Sequence, residues 1–360
     1  MRTIMNNFTY TSRPQRVVFG VGALAQIEAE VDLLGARRAL VLATPDQRRD
    51  AERIAEMLGP RVAGVFDRAT MHVPVEIARE ARDLARRLDA DCAIAIGGGS
   101  TTGLGKAIAL ESDFPILAVP TTYAGSEMTP IYGITEAGLK RTGRDIRVMP
   151  KTVIYDPELT YSLPVSLSVS SGINAIAHAA EGLYAIDANP ITNLMAAEGI
   201  AAIGRSLPLL TLDADNAEVR RARSDVLYGA WLCGSVLGNV SMALHHKLCH
   251  TLGGTFNLPH AETHTIVLPH ALAYNAMAAS RSMERIAGAL NGNSAPQATF
   301  DLAKMNGAPL ALKDIGMKAS DLDKACAIAL ENQYPNPRPL EKVAIRQLLQ
   351  HAYEGVRPSI

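Results

Sequence analysis

Short apolar runs alternate with helical patterns in roughly the first 160 residues. The runs lie at 17–19, 39–43, 62–66, 92–96, 116–119 and 152–155. Strands that are apolar on both faces are typical of a parallel sheet with helices on each side. Segments between the runs have the spacing of helices, among them 23–34, 47–58 and 74–88. This part is therefore predicted to be an α/β domain with a parallel sheet.

The pattern changes after Asp156-Pro157. From about residue 164 the apolar spacing is helical nearly throughout, and strand patterns are almost absent. The clearest helices are predicted at 173–184, 193–207, 217–237 and 340–356. We therefore predict two domains, an α/β domain at 1–160 and an all-helical domain at 161–360. A ligand is expected in the cleft between them, near the carboxyl ends of the strands.

Composition excludes several classes of protein. The chain has 360 residues, a formal net charge of -1 and no run of basic residues, so no nucleic-acid partner is expected. Its four cysteines are scattered without a CxxC pair, which fits a reducing compartment. The start is polar, and no apolar run is long enough to span a bilayer. A soluble cytoplasmic protein without a membrane partner is expected.

Three glycines and a serine, at 97–100, follow a predicted strand and precede a helix predicted at 104–110. Glycine lets the backbone approach a pyrophosphate, and the N–H groups of the next helical turn point towards it. The spacing differs from GxGxxG, and a tight turn without a ligand would share the pattern. We predict that Gly98, Gly99 and Ser100 bind the phosphates of a dinucleotide, which makes 1–160 the dinucleotide-binding domain.

A second loop, at 120–127, follows the next strand and reads Pro-Thr-Thr-Tyr-Ala-Gly-Ser-Glu. Parallel strands end at the same edge of a sheet, so this loop should lie beside the glycine loop. Its hydroxyl groups are candidate donors to the cofactor, although a solvated turn would also carry them. The predicted cofactor contacts here are Thr121, Thr122, Ser126 and Thr129.

Thr44 ends the second predicted strand. Dinucleotide folds often carry an acid there for the ribose 2′-hydroxyl group. A neutral threonine would not repel a 2′-phosphate. We therefore expect Thr44 to contact the cofactor and NADPH to be tolerated beside NADH.

Six of the nine histidines lie between positions 245 and 270. His246 and His250 are four residues apart and share a helix face, and Gly253-Gly254 is predicted to end that helix. Asn174 and His178 upstream have the same spacing. Three histidines and one oxygen ligand would make a reasonable site for a divalent metal. The candidate cluster is His178, His246, His250 and His260, whereas His264 and His270 are expected to be structural or solvated.

At these residues the chain resembles the iron-containing alcohol dehydrogenase superfamily over essentially its whole length. The resemblance implies an N-terminal dinucleotide domain, a C-terminal helical domain that binds substrate, hydride transfer in the cleft, and a homodimer. It also implies that Lys140 lies near the cofactor. The motifs that carry it, in family order, are 19–24, the glycine loop, 156–160, 250–254 and Asn336-Pro337-Arg338.

The chain departs from the family's metal ligands, an aspartate and three histidines. Asn174 stands at the aspartate position, while His178, His246 and His260 match the histidines. A neutral amide removes the only anionic ligand and should weaken binding of a divalent ion. We expect that no metal is required, and that any metal present is held by the three histidines.

Further departures resemble the maleylacetate reductase branch of this superfamily. They are the shortened loop at 121–127, Gly103 in place of a usual aspartate, and the segments 244–250 and 334–339. This branch is generally regarded as not needing a metal. The resemblance implies NADH- or NADPH-dependent reduction of maleylacetate, a small dicarboxylate, to 3-oxoadipate in the catabolism of aromatic compounds. Chloromaleylacetates are further candidate substrates.

These residues suggest a mechanism for that reaction. Hydride addition to a C=C bond conjugated to a ketone leaves negative charge on the ketone oxygen, which positioned donors can stabilise. We hypothesise that His246, assisted by Asn174, His178 or His260, donates to this oxygen, and that His250 or a water it holds protonates the carbon. Tyr123 would orient the enone. Lys247 and Arg338 are candidates for the substrate carboxylates, or else a solvated lysine and a structural clasp.

Other functions remain open at this stage. A metal-dependent alcohol dehydrogenase of the same superfamily would act on a small aldehyde or ketone, and metal analysis would distinguish it. A lyase resembling 3-dehydroquinate synthase would need more lysine and arginine residues and an intact metal quartet. A non-catalytic nicotinamide-binding protein would leave the histidine cluster unexplained.

Overall fold

The computed structural model describes residues 8–13, 15–136, 139–212 and 216–359, without the side chains of residues 139 and 140. Its main sheet has six parallel strands in the order β1-β8-β5-β4-β2-β3. The strands β2, β4, β5 and β8 are completely buried, as their apolar sequences require. All eight strands are β1 (Arg16–Phe19), β2 (Ala39–Leu42), β3 (Val62–Phe66), β4 (Cys92–Gly97), β5 (Ile116–Pro120), β6 (Ile131–Glu136), β7 (Leu139–Arg144) and β8 (Thr152–Tyr155).

Helices cover this sheet and then form the rest of the described chain. Apolar residues of β2 and β4 alternate between two core clusters, one on each side of the sheet. The predicted fold class, a parallel α/β part followed by a helical part, is confirmed. The helices are α1 (Ile27–Leu33), α2 (Arg48–Leu58), α3 (Val75–Arg87), α4 (Gly99–Ser112), α5 (Val165–Gly182), α6 (Pro190–Ser206), α7 (Ala217–Asn239), α8 (Leu244–Phe256), α9 (His260–Asn275), α10 (Ser280–Ala289), α11 (Ala295–Met305), α12 (Leu322–Leu330) and α13 (Lys342–Glu354).

Strands β6 and β7 form an antiparallel hairpin that the sequence pattern did not predict. Strand β6 is half-buried and the described side chains of β7 are mostly exposed, so the hairpin lacks the continuous apolar run that marks the main strands. The hairpin is attached to both parts of the molecule. Thr135 donates a hydrogen bond to the His72 carbonyl at 2.8 Å, and Arg144 donates one to the Gly238 carbonyl at 2.8 Å.

Helix α8 runs through Gly253-Gly254 to Phe256, so the predicted break at these glycines is wrong. Two glycines cost the helix only about 1 kcal/mol each. The buried apolar face of α8, which includes Leu248 and Leu252, stabilises it within one core cluster. Asn257 ends the helix in the left-handed conformation, with φ of 54°.

No single helix in the described part of the chain is both long and apolar enough to cross a membrane. The bent pair formed by α7 and α8, which meet at 96°, reaches that threshold jointly by length and composition.

Candidate active site

The glycine loop after β4 leaves no room for a side chain at its first position. Gly97 has φ of +140°, and a Cβ atom there would lie 2.4 Å from Gln47 Oε1 and 2.7 Å from Thr101 Oγ1. A Cβ atom on Gly98 would lie 3.0 Å from Thr122 Oγ1. Helix α4 begins at Gly99, with Ser100 in its first turn. This bare backbone at a helix N-terminus fits the pyrophosphate of a dinucleotide.

Gln47 connects two predicted cofactor residues. The Thr44 hydroxyl donates to Gln47 Oε1 at 3.2 Å, and Gln47 Nε2 donates to Thr121 Oγ1 at 2.6 Å. The structure thus brings Thr44 and Thr121 to one edge of the sheet, around the glycine loop. Sequence reasoning missed Gln47, and its position five residues after the end of β2 was the only available signal.

Lys106 binds the loop at 120–130 from the interior of the protein. Its fully buried Nζ donates to the carbonyls of Ser126, Thr129 and Ile131 at 2.7, 2.9 and 2.7 Å, and to Thr129 Oγ1 at 3.0 Å. Burial lowers the pKa of Lys106 to about 7, and the charge of Glu127 opposes that shift. Lys106 was also missed, although a lysine among the apolar residues of a helix is a signal.

Two predicted cofactor contacts, Thr129 and Ser126, take part in these hydrogen bonds inside the loop. The Thr129 side chain is buried, and its hydroxyl donates to the Ser126 carbonyl at 3.1 Å while accepting from Lys106. Thr129 therefore shapes the loop from inside. Ser126 and Thr122 are only half-buried. The side chain of Lys140 lies outside the described residues.

Tyr123 does not lie where the sequence predicts. Its side chain is completely buried in the core, and its backbone N–H donates to Ser171 Oγ at 3.0 Å. Burial raises the pKa of Tyr123, and the charge of Arg223 opposes the shift. The predicted contact of Tyr123 with a substrate does not agree with this position, because the side chain is completely buried within a core cluster.

Gly125 brings the cofactor loop against the histidine cluster. A Cβ atom on this residue, whose φ is +80°, would lie 3.2 Å from both His178 Nδ1 and Gly234 Cα. The loop therefore packs directly on helix α5, which carries His178, and on helix α7, which carries Gly234. Two features found separately in the sequence, the hydroxyl-rich loop and the histidines, are therefore in direct contact.

The histidine cluster is contributed by three helices. The His178 ring on α5 lies 5.2 Å, between ring centroids, from His246 on α8. The His246 ring lies 5.0 Å from His264 on α9 and 6.0 Å from His250. Spacing correctly placed Asn174 with His178, and His246 with His250, on single helices. His264, predicted to be structural or solvated, is buried within the cluster, so it is not solvated, and a structural role stays a prediction.

Three of these imidazoles could hold a metal ion. One nitrogen each of His178, His246 and His264 lie within 4.8 Å of one another. In the described chain, His178 Nδ1, His246 Nε2, His264 Nε2 and Asn174 Oδ1 are buried without a hydrogen-bond partner. His260, which was predicted as the third ligand, is outside this set; it is exposed, and its ring lies 4.4 Å from His264.

The donor set fits a divalent ion in number and spacing, and differs from common sites in charge. None of its members is a carboxylate or a thiolate, since Asn174 is an amide and the others are imidazoles, and burial lowers the pKa of His178 and His264 well below 6.5. Three imidazoles and one amide oxygen offer no anionic ligand. The nearest carboxylate, that of Glu181, lies behind His246 and accepts a hydrogen bond from its Nδ1 at 2.7 Å.

A second pair of histidines lies behind the cluster. His245 Nε2 and His264 Nδ1 share a hydrogen bond at 2.9 Å, and Cys249 Sγ lies 3.7 Å from His245 Nε2. All three side chains are buried. Sequence reasoning gave His245 no role, because its contact with His264 depends on how α8 packs against α9.

The outer part of the site carries the remaining predicted residues. His250 is exposed, and its Nδ1 lies 3.1 Å from the Tyr334 hydroxyl. The Lys247 ammonium lies 5.9 Å from the centre of the Tyr334 ring. Arg338 instead stacks on the Tyr274 ring at 4.1 Å, and donates to the Tyr274 carbonyl at 3.4 Å. His250 and Lys247 therefore share one partner, and Arg338 is engaged elsewhere.

Family models match nearly the whole chain. The iron-containing alcohol dehydrogenase model matches residues 14–157, and the model of the C-terminal part of the Fe-containing alcohol dehydrogenase family matches residues 168–353. The chain belongs to the iron-containing alcohol dehydrogenase family. It is therefore an oxidoreductase, of a family that uses NADH or NADPH.

Within this family the chain is similar to several maleylacetate reductases. It is 65% identical to the maleylacetate reductase of Burkholderia cepacia, over 99% of this chain and 100% of that protein. It is 59% identical to that of Pseudomonas sp. (strain P51), over 98% of this chain and 99% of that protein. The crystal structure of the Agrobacterium tumefaciens maleylacetate reductase is 52% identical, covers 98% of this chain and 100% of that chain, and has a TM-score of 0.94.

Proposed function

We propose that this protein reduces the C=C bond of maleylacetate to give 3-oxoadipate, with NADH or NADPH as the reductant. The observation that carries the proposal is the packing of Gly125 on His178, which sets a dinucleotide loop against a cluster of buried imidazoles. The similarity to maleylacetate reductases supplies the substrate. The α/β domain binds the cofactor, and the helical domain, 161–360, contributes the groups that act on the substrate.

The cofactor site supports either nicotinamide. Gly98, Gly99 and Ser100 face the pyrophosphate, and Thr44, Thr121 and Thr122 line the same edge of the sheet. When bound, the reduced nicotinamide supplies the hydride. The side chain at position 44 carries no charge that would repel a 2′-phosphate, so NADPH is accepted beside NADH.

The histidine cluster acts on the ketone oxygen. Hydride reaches the carbon β to the ketone, the C=C electron pair shifts towards oxygen, and an enolate forms. Glu181 holds Nδ1 of His246, so Nε2 is the nitrogen available to that oxygen. In this step Nε2 carries a hydrogen and donates it to the oxygen, and Asn174 and His178 beside it keep the oxygen in place. The His264 ring is the third imidazole beside this oxygen.

Collapse of the enolate needs a proton at the α carbon. His250, exposed at the mouth of the cluster and hydrogen-bonded to Tyr334, supplies it directly or through a water molecule. Lys247 lies beside the same tyrosine and binds one carboxylate of the substrate. Arg338 would have to leave the Tyr274 ring to bind the other carboxylate.

A metal ion is not required for this reaction in our proposal. If one binds, His178, His246 and His264 hold it, and it supplies a Lewis acid at the ketone oxygen. The absence of an anionic ligand makes the imidazoles themselves the better candidates for the donor. Acceptance of chloromaleylacetates is part of the proposal, because the donors act on the ketone and not on the substituted carbon.

The test is oxidation of NADH by freshly prepared maleylacetate, followed by absorbance on EDTA-treated protein without added metal. Rapid oxidation supports the substrate and the metal-independent mechanism together. Activity that returns only with Zn²⁺ or Fe²⁺ keeps the substrate and overturns the metal-independent part. Inactivity in both conditions, with turnover of simple aldehydes or ketones, would replace the proposal by a metal-dependent alcohol dehydrogenase.

We also propose that the protein acts as a homodimer in the cytoplasm. The family resemblance supports the dimer, and four free, buried cysteines suit a reducing compartment. Light scattering of the purified protein should give twice the 38.4 kDa mass of the chain. A monomeric mass at assay concentrations would reject the dimer.

A further inference from the structure

Glu181 contacts His246 from the side opposite the site. This carboxylate is on α5, one turn from His178, and is completely buried. Its Oε2 accepts from His246 Nδ1 at 2.7 Å, from the Ala243 N–H at 2.9 Å and from the His246 N–H at 3.3 Å. Its Oε1 accepts from the His245 N–H at 2.7 Å. The Glu181 side chain therefore accepts hydrogen bonds from three backbone N–H groups at the start of α8 and from the ring of His246.

This arrangement determines which nitrogen of His246 faces the site. A carboxylate has only acceptor atoms, so Nδ1 must carry the hydrogen in that contact. The other nitrogen, Nε2, then points to the cluster, where it is buried without a partner. Rotation of the ring would place a carbon atom against the carboxylate, and loss of Nδ1–H would set two acceptors against each other.

A capping role alone would not need this geometry. The described α-helices that start with a side-chain cap use a neutral residue directly before the helix, namely Asn189, Asn216 and Ser294. Helix α8 has no such cap and is bound by a carboxylate 62 residues away in sequence. A buried charge is costly unless it is paired and hydrogen-bonded, and here part of its bonding goes to the reactive ring.

We propose that Glu181 is the positioning residue of the reaction: it fixes His246 with Nδ1–H held back and Nε2 towards the ketone oxygen. The proposal rests on the function proposed above, because it needs His246 to act at that oxygen. Glu181 does not touch substrate or cofactor. Since the helix contacts and the ring contact share one carboxylate, the orientation of α8 and that of His246 are set together.

The experiment combines a spectroscopic and a kinetic measurement on the full chain. ¹⁵N signals of the imidazole nitrogens, recorded on histidine-labelled protein without substrate, report which nitrogen carries the hydrogen. The signals of His246 are identified by their loss in His246→Gln. In Glu181→Ala we expect the Nδ1–H signature of His246 to disappear and kcat to fall about tenfold or more, with KM for NADH within about twofold of the wild type.

Glu181→Gln separates ring positioning from folding. The glutamine oxygen can take the place of Oε2 and keep the contact with Nδ1, so this variant should retain the Nδ1–H signature and recover part of the lost kcat. Ser294→Ala, which removes the cap of α11, controls for a loss of stability away from the site. It should change neither the His246 signals nor kcat.

The possible results are distinct. Unchanged His246 signals in a folded Glu181→Ala would overturn the positioning role, whatever the activity. A normal kcat in Glu181→Gln and Glu181→Ala would overturn it as well. If the signals change as expected while no variant, nor the wild type, reduces maleylacetate, then the function proposed above fails and the control of the His246 ring by Glu181 stands.

Discussion

Gln47 and Thr121 join the ends of two strands that are not neighbours. The hydrogen bond from Gln47 Nε2 to Thr121 Oγ1, 2.6 Å long, passes from the end of β2 to the end of β5. Between them lies β4, which ends in Gly97. The amide oxygen of Gln47 would be 2.4 Å from a Cβ atom on that glycine. Both the bridge and the bare backbone beneath it are needed to keep the proposed phosphate site open.

Gly97→Ala should therefore impair cofactor binding. The added methyl group overlaps Gln47 and Thr101, and the positive φ adds backbone strain of about 1–3 kcal/mol. We expect KM for NADH to rise about tenfold or more, with a smaller change in kcat. Gly288→Ala on α10 is the control, because a Cβ atom there meets nothing within 4 Å. Equal KM values for both variants would exclude the site.

Lys106→Met should loosen the loop at 120–130, which is proposed to face the cofactor. It removes the donor from three carbonyls and one hydroxyl in the interior, at a cost of about 3 kcal/mol or more. Urea denaturation should show this loss, and KM for NADH should rise. The exposed Lys304→Met serves as the control. Unfolding curves that coincide with the wild type would contradict the role of Lys106.

Asn174→Asp should create a stronger metal site. A carboxylate would join three imidazole nitrogens that lie within 4.8 Å of one another. We expect Zn²⁺ to bind about tenfold or more tightly than to the wild type, measured by calorimetry on chelator-treated protein. Asn193→Asp places a carboxylate at another buried, unpartnered amide oxygen, on α6, and should leave Zn²⁺ affinity unchanged. Equal affinities for both variants would show that Asn174 is outside the ligand set.

His246→Ala should lower kcat by roughly 10²-fold or more, because it removes the proposed main donor to the developing enolate. Steady-state rates at saturating NADH measure the change. His351→Ala, on α13, is the matched control and should keep a normal rate. A folded His246→Ala with near-normal kcat would rule out the donor.

Stability should fall in acid because of His270. Burial, with the charge of His351, lowers the pKa of His270 to about 4 from 6.5. Between these values the unfolded chain binds a proton that the folded one does not, so the free energy of unfolding falls as pH falls from 6.5 towards 4. The loss is at most about 3 kcal/mol from this residue.

Urea unfolding of the wild type and of His270→Gln between pH 6.5 and 4 tests whether the free energy of unfolding falls as predicted. The variant should be less dependent on pH, so its stability relative to the wild type should improve as pH falls. Parallel curves would show that His270 takes up its proton equally in both states. The lowered pKa values of His178, His245 and His264 should make both proteins less stable in acid.

The sequence was sufficient for elements whose pattern is local. The apolar runs of β2, β4 and β5 predicted a parallel sheet, and four-residue spacing placed His246 with His250. The hairpin β6–β7 escaped prediction because its half-buried and exposed residues leave no continuous apolar run. The predicted end of α8 was wrong because side-chain packing outweighed the low helix propensity of Gly253-Gly254.

The site was predictable only where residues lie on one element. His264 enters the cluster because α9 packs beside α8, and no spacing within α9 reveals that contact. Tyr123 is in a loop of otherwise polar and small residues, yet the core encloses its ring. Gln47, Lys106 and Glu181 all act through partners far away in the chain, which a single sequence cannot pair.

Helix α8 presents different histidines on two sides: His246 and His250 towards the site, His245 and Cys249 towards the interior. Each residue advances a helix by about 100°. Inserting one residue into the short connection at 240–243 would therefore bring His245 into the position from which His246 faces α5, and removing one would bring Lys247 there, unless the contacts of Glu181 with the first turn were broken. Insertions and deletions in this connection should thus be far less tolerated than on the surface, however similar the resulting composition.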